Sequence, residues 1–361
     1  MNVNMLRALS LADISLGSVS PNPNVGAVVV NGSKVVGEGS TQPPGQDHAE
    51  IVALRHAAGE TMGAVLYTTL EPCAHEGRTP PCTSAIVAAG ISKVCVALED
   101  PNPLVSGKGL DRLREAGIEV VLGDGAEKAK RITESYLKFI TTKLPFVTAK
   151  FAMSLDGKIA TRSSDSKWIT NQKSRRYVHE MRSKSDAIIT GINTVLTDDP
   201  LLTARDEKGI PLTRQPLRIV VDSSGRIPTS AKFFSKYSRS LVAVNHIDEH
   251  TMDNLSGIAD VLTVPNSADG LVDIKDLLVR LGKLDITSLI IESGGTLLGS
   301  FFDLKLVDKV VAFVSPVILG GVNSPTPVAG LGVDKISDAF RLKHVQLQEF
   351  DEDLLLTGYC T

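Results

Sequence analysis

The sequence predicts a layered α/β protein of two domains, and three observations carry that prediction. At 361 residues the chain exceeds one ordinary domain, and each half is long enough to bury its own core. Short apolar runs of strand character alternate with helix-period segments through both halves, the pattern of sheets covered by helices. The alternation breaks at Lys143-Leu144-Pro145 and restarts at Phe146, which puts the domains at residues 1–144 and 145–361. The 42% apolar fraction fits a globular protein, and 38 basic against 41 acidic side chains leave a net charge of −3. That balance offers no excess charge for holding nucleic acid. The N-terminus lacks a signal peptide's apolar core, and no later run is long enough to span a bilayer, so a cytoplasmic protein without a membrane partner is expected.

In the first half, residues 5–16 read as a helix, with Leu6, Leu9, Ala12 and Leu16 at helical spacing and Gly17 as the stop. Residues 25–30, the Asn31-Gly32 turn and residues 34–38 read as a hairpin. A second helix starts near Asp47, and 65–69 is a strand ended by Glu71-Pro72. Cys82 opens a helix over 83–89 that Gly90 stops, and 92–98 is a buried strand containing Cys95. Residues 110–116 are helical, 118–122 are a last strand, and 126–141 form one longer helix.

The chemistry concentrates between His48 and Cys82. Four cysteines are too few for a disulfide scaffold in a chain this long, and two have a better use as metal ligands; Cys360 is left unassigned. One His nitrogen and two thiolates, from His48, Cys73 and Cys82, leave a tetrahedral zinc one open position, as in hydrolytic sites. Glu50 is then a carboxylate that is not a ligand and can shuttle a proton from attacking water to departing ammonia. His48, Glu50, Pro72 and Cys73 match the His-x-Glu and Pro-Cys parts of the zinc deaminase pattern, while Cys82 stands nine residues after Cys73 instead of three. The intervening loop would sit at the pocket mouth and carries His75, Arg78 and Thr79, which can hydrogen-bond a polar substrate. Taken alone, Asp47 and Glu50 also suit a capping box, in which Glu50 only satisfies a backbone N–H. The cysteines, in strand-to-helix context, favour the catalytic reading.

In the second half, residues 146–151 read as a strand with Lys150 inside it. From the strand alone Lys150 reads as an edge or solvent-facing residue, because burying an ammonium is costly. Trp168, the only tryptophan, fits the core. Residues 174–184 and 272–281 are helices, 187–191, 217–222, 240–245 and 259–264 are strands, and 193–200 is a polar turn. Residues 289–292 form a strand, and Ser293-Gly294-Gly295-Thr296-Leu297-Leu298-Gly299-Ser300 is a glycine-rich turn entering a helix. Such a turn exposes N–H groups to phosphate, but close packing of helix on strand calls for glycine as well. A further strand run over 310–319 is interrupted at Pro316.

Together these segments resemble a known family. Pro21-Asn22-Pro23, His48-Ala49-Glu50, Thr69-Leu70-Glu71-Pro72-Cys73, Gly77-Arg78-Thr79-Pro80-Pro81-Cys82 and Asp100-Pro101-Asn102-Pro103 carry the resemblance in the first half. Ser154-Leu155-Asp156-Gly157-Lys158, Ser166-Lys167-Trp168-Ile169-Thr170, Thr194 to Pro200 and Glu292-x-Gly294 carry it in the second. From near residue 5 to the end the chain resembles the bacterial bifunctional deaminase-reductase family of riboflavin biosynthesis, whose own cysteine spacing is the nine-residue one. The resemblance implies a cytidine-deaminase-like three-layer α/β/α fold followed by a dihydrofolate-reductase-like α/β fold. It implies deamination of 2,5-diamino-6-(5-phosphoribosylamino)pyrimidin-4(3H)-one with one Zn2+ per chain, then reduction of the ribosyl group to ribityl with NADPH. Asn22 joins His75 and Thr79 as a deaminase-side substrate contact. In the reductase half the resemblance puts Met153, Trp168, Thr194, Ser223 and Gly294, Gly295, Thr296, Leu297, Leu298, Gly299 and Ser300 against NADPH. It puts Ser166, Arg182, Asp198, Leu202, Arg205 and Glu292 against the phosphoribosyl substrate. A homo-oligomer, dimer or tetramer, is expected.

Physical reasoning adds roles. Reducing an opened ribosylamine needs proton transfers, for which Lys150 and Asp198 are candidates, since a carboxylate near a lysine holds it charged and oriented. Arg182 and Arg205 suit a phosphate through bidentate charge-assisted bonds. Two rivals stand beside this reading: a tRNA-type deaminase, which the charge balance and the scarcity of aromatic residues oppose, and a deaminase whose second half binds without turnover.

Overall fold

The structure, a computed structural model, describes residues 1–74, 80–103 and 105–360. The chain forms two compact units, Met1–Leu144 and Pro145–Thr361. Pro145 stands at the seam, just past Lys143, the left-handed cap of the preceding helix.

In the first unit, strands β1 (Gly26–Asn31), β2 (Lys34–Ser40), β3 (Val65–Thr68), β4 (Lys93–Val96) and β5 (Glu119–Leu122) form one sheet in the order β2-β1-β3-β4-β5. Helices α1 (Val3–Ile14), α2 (Ala49–His56), α3 (Cys82–Ala88), α4 (Lys108–Glu115), α5 (Ala126–Ile132) and α6 (Glu134–Thr142) cover it. The period-2 alternation of strand side chains assigns the layers. Val28 and Val30 of β1 pack with Met5, Ala8 and Leu9 of α1 and Ala129 of α5. Ala27 and Val29 pack on the other face with Ala49 and Ala53 of α2, Ile86 of α3 and Leu113 of α4. Because both faces are covered, β1 is buried along its length except at Asn31, so it reads as a continuous apolar run. Cys95 is a buried strand residue, as expected.

The expected long helix over 126–141 is two helices. Thr133 sits between them and its hydroxyl donates to the Ala129 carbonyl at 2.8 Å, a side-chain bond that competes with regular helix geometry.

The second unit contains β6 (Phe146–Ser154), β7 (Ala187–Gly191), β8 (Leu217–Val221), β9 (Ser240–Val244), β10 (Asp260–Thr263), β11 (Ser288–Ile291), β12 (Lys309–Ser315), β13 (Lys343–Phe350) and β14 (Asp353–Tyr359). They form one sheet in the order β10-β9-β8-β7-β11-β6-β12-β14-β13. All pairs from β10 to β12 are parallel, and β12-β14 and β14-β13 are antiparallel. Its helices are α7 (Gln172–Lys184), α8 (Ile192–Asp198), α9 (Glu249–Leu255), α10 (Ile274–Lys283) and α11 (Gly295–Asp303).

Three features differ from expectation. The polar stretch 193–200 is mostly α8, whose Ile192 and Val195 are buried three residues apart beneath exposed polar neighbours. The strand with Lys150 is not an edge: β6 lies between β11 and β12. The last hairpin, β13 and β14, gives no clear sequence signal, because β13 is exposed at every position but its last and so shows no alternation. Among the described residues no helix is long and apolar enough to cross a membrane.

Candidate active sites

In the first unit, His48 is the N-cap of α2 and makes no side-chain capping bond. Glu50 does not cap either; it is turned into the protein, only 3% exposed, with the Thr68 hydroxyl donating to Oε1 at 3.3 Å. The capping-box alternative therefore fails: the cap falls at His48, and Asp47 pairs with Arg55 on the surface. Cys73 follows β3, and Cys82 is the first residue of α3. Their ligand atoms converge: His48 Nδ1 is 3.3 Å from Cys82 Sγ and 3.6 Å from Cys73 Sγ, and all three lie within 4.8 Å of one another. The Cys82 backbone N–H also donates to Cys73 Sγ at 3.4 Å.

The electrostatics calls for a cation. The Cys82 thiol, and then His48, hydrogen-bond to Cys73 and bring its pKa down against the effect of burial. That bond from Cys82, with burial, pushes the Cys82 thiol up, and the bond with Cys73 raises His48. Burial raises Glu50, and the neighbouring Cys73 charge adds to it. One imidazole and two sulfurs, crowded with an acid that resists ionising, form the donor set of a three-ligand zinc site, and the residues present fit the ion.

A cavity of about 340 Å³ opens onto this cluster, lined by Asn22, His48, Glu50, Cys73, Asp100, Asn102 and Tyr136 among others. Asn22, an expected substrate contact, is on its wall. His75, Arg78 and Thr79 lie outside the described residues. Glu71, which sequence reasoning passed over, supports the wall. Its buried carboxylate accepts backbone N–H groups from Asp100 (3.2 Å), Gly107 (3.0 Å), Gly109 (2.8 Å) and Leu110 (3.3 Å), pinning those four residues to the chain just before Cys73. Its place beside Pro72-Cys73 was the only available signal.

In the second unit the parallel register sets Ile291 against Ala149 and so brings Glu292 beside Lys150. Lys150 Nζ donates to Glu292 Oε2 at 3.1 Å, and Arg182 grips the same carboxylate through Nε (2.7 Å) and Nη2 (2.8 Å). Exposures of 14%, 12% and 9% for Lys150, Arg182 and Glu292 make this a nearly buried triad. Burial alone would raise Glu292, but the Arg182 and Lys150 charges outweigh it and hold the carboxyl well below its ordinary range. The carboxylate that orients Lys150 is thus Glu292, where the sequence suggested Asp198. Asp198, ending α8, instead accepts from the Ser166 hydroxyl at 3.2 Å. Arg182 is largely occupied, its Nη1 donating to the Thr203 carbonyl at 3.0 Å, whereas the Arg205 guanidinium is held, among the described residues, only by Nε on the Thr203 hydroxyl at 2.9 Å. Leu202 is a core side chain, so any contact it makes with substrate is through its backbone.

Met153 in β6, Thr194 after β7, Ser223 after β8 and Gly294 after β11 all stand at the carboxyl ends of neighbouring parallel strands, the edge where open α/β sheets bind ligands. Trp168 is not core but 71% exposed, with the Arg175 guanidinium 4.7 Å from its ring centroid. Ser223 Oγ accepts from the Val272 N–H at 3.1 Å. The glycine turn divides. At Gly294 an added Cβ would meet only Thr194 Oγ1 at 3.7 Å, leaving its backbone approachable. At Gly295 and Gly299 a Cβ would strike the backbone of Thr326 and Ala329, so those two serve packing. Leu298 and Gly299 are buried; Thr296, Leu297 and Ser300 keep some exposure. An approachable glycine at the carboxyl edge of the parallel strands fits a nucleotide cofactor.

The fold and the two sites define a class: a deaminase-type unit with a zinc-ligand set joined to a reductase-type unit. The family described as "Cytidine and deoxycytidylate deaminase zinc-binding region" matches residues 3–98, and "RibD C-terminal domain" matches 145–356. The chain belongs to the RibD family of riboflavin biosynthesis proteins. It is 41% identical to riboflavin biosynthesis protein RibD of Synechocystis sp., with 99% of this chain and 95% of that protein covered. Against RibD of Aquifex aeolicus it is 39% identical, covering 98% of this chain and 96% of that one. The solved RibD of Acinetobacter baumannii, form 1, superposes with a TM-score of 0.87 at 37% identity, over 99% of this chain and 98% of that one. A Thermotoga maritima structure titled as a diaminohydroxyphosphoribosylaminopyrimidine deaminase and 5-amino-6-(5-phosphoribosylamino)uracil reductase gives 0.83 at 35% identity, with coverage of 99% and 98%.

Proposed function

We propose that this chain catalyses two consecutive steps of riboflavin biosynthesis: hydrolytic deamination of 2,5-diamino-6-(5-phosphoribosylamino)pyrimidin-4(3H)-one by residues 1–144, then reduction of the ribosyl group by residues 145–361. The observation that carries the reading is the buried, ionisable Glu50 opening onto the same cavity as His48, Cys73 and Cys82. These three residues hold one zinc per chain, which when bound supplies a Lewis acid that activates water at neutral pH. Glu50, kept basic by burial, takes the proton of the attacking water and hands it to the departing amino nitrogen. Asn22, with His75 and Thr79, orients the substrate.

In the second unit Met153, Trp168, Thr194, Ser223 and the turn from Gly294 to Ser300 would hold NADPH along the carboxyl edge, where it would supply the hydride. Lys150, charged and aimed by Glu292, and Asp198 with Ser166 hold protons at the nitrogen and oxygen freed by opening the ribosylamine. Arg205 takes the phosphate. A second copy of the chain covers β13, an edge strand with Val345 and Leu347 exposed, because an open, partly apolar edge is otherwise a template for unwanted pairing.

The test supplies purified protein with each intermediate, with and without NADPH. Ammonia release from the diamino compound should need no NADPH, and NADPH oxidation should need the deaminated compound. NADPH left untouched in the presence of the deaminated compound would reduce the second unit to a binding module.

A further inference from the structure

Residues 201–205 run without regular structure between α8 and β8, yet side chains from elsewhere clamp them. Leu202 adopts φ +49°, a left-handed conformation that needs such support. Arg218, fully buried on β8, donates to the Leu201 carbonyl at 3.2 Å. Gln215 brackets Ala204, its Oε1 accepting the N–H and its Nε2 donating to the carbonyl, each at 2.8 Å. Thr203, with no exposed surface, lies between these clamps.

Thr203 touches both arginines of the site. Its carbonyl accepts from His179 Nδ1 at 3.1 Å and from Arg182 Nη1 at 3.0 Å, and its hydroxyl accepts from Arg205 Nε at 2.9 Å. The two guanidiniums are close enough to feel each other: burial lowers the pKa of Arg205, and the Arg182 charge lowers it further. Arg182 is paired with Glu292, which it shares with Lys150, whereas Arg205 has no carboxylate partner and no bond from either Nη group among the described residues. A half-buried guanidinium that faces a like charge and lacks a counter-ion is poised for an anion.

We infer that Thr203 is a positioning residue for phosphate recognition: by engaging Nε of Arg205 it turns the Nη1/Nη2 edge of that guanidinium to the substrate's phosphate, while its carbonyl keeps Arg182 on Glu292. The inference rests on the reading that the second unit takes a phosphoribosyl compound. His179 supports the arrangement as a neutral ring, since burial and then the Arg182 charge lower its pKa to about 4 and leave Nδ1–H to the carbonyl.

The experiment compares wild type, Thr203→Val and Thr203→Ser in the intact protein. Reduction of the deaminated intermediate is measured beside that of its dephosphorylated form, and ribose 5-phosphate beside ribose is titrated by calorimetry. Loss of one hydrogen bond to a charged group should raise KM for the phosphorylated compound, and Kd for ribose 5-phosphate, roughly tenfold in Thr203→Val, with kcat within about twofold. Thr203→Ser, which keeps the oxygen, should restore both. In an Arg205→Ala background Thr203→Val should add little, because the interaction is already gone. Unchanged values in Thr203→Val, or an equal loss for the dephosphorylated compound and ribose, would overturn the assignment. If wild type fails to turn over the intermediate, the reductase reading fails, and the ribose 5-phosphate titration still decides the role of Thr203.

Discussion

The two sites differ in how they balance charge. In the first unit two sulfurs and the Glu50 carboxyl crowd around one imidazole, so the cluster has an excess of groups that can become anionic, and a divalent cation is the natural complement. In the second unit Glu292 lies between Lys150 and Arg182, one carboxylate against two cations, and Arg205 adds a guanidinium with no carboxylate partner among the described residues, so the excess there is positive. The donor set of the first site suits a metal ion, and the surplus positive charge of the second suits the phosphate we propose for its substrate. Each unit should accordingly fail separately, and in its own way, when its balance is broken.

The largest effect should come from removing a ligand. Cys82→Ser should lose its zinc, measured by elemental analysis, and with it all deamination, while NADPH oxidation on the deaminated intermediate continues; full zinc in that variant would undo the comparison. Glu50→Gln keeps size and ligands but cannot carry a proton, so ammonia release should fall on the order of a thousandfold with zinc retained. A normal rate would return Glu50 to a structural role.

Lys150→Ala should slow reduction about a hundredfold while NADPH affinity, read by fluorescence titration, changes by less than about threefold. The fold should survive because Glu292 keeps Arg182 as its partner. An unchanged single-turnover rate would exclude Lys150 from the proton transfers.

The smallest effect is a pH slope. His179 is held below its ordinary value, at about 4, so between roughly pH 6.5 and 4 the unfolded chain binds a proton that the folded one refuses. Its contribution to stability is complete above about pH 6.5 and is lost as pH falls toward 4. Denaturant midpoints for the second unit should therefore drop on acidification more steeply in wild type than in His179→Gln; parallel curves would mean the ring is already solvated.

The two sites were also unequally legible. The convergence of His48, Cys73 and Cys82 beside Glu50 could be read from residue types and spacing, because three of the four sit where a strand hands over to a helix, and such boundaries leave local marks such as Pro72 and the helix start at Cys82. The triad of the second unit joins residues 150, 182 and 292, with Glu292 at least 110 positions along the chain from either partner, and no local pattern encodes that pairing. Lys150 looked like an edge lysine because a strand's place in its sheet depends on which strands flank it.

Element types followed where burial is periodic. Alternate residues of β1 could be assigned to two buried faces from their order alone, since a strand's side chains must alternate. Periodicity failed for α8, where two buried residues under polar neighbours resembled a turn, and for β13, which has no buried face to advertise. Residue chemistry was thus enough to indicate a cation site, layered α/β units and the break at Pro145. Which carboxylate holds Lys150, which glycines stay open to a ligand and which arginine has no carboxylate partner among the described residues were decided by the tertiary structure, because each depends on distances between segments far apart in the chain, set by strand register and packing.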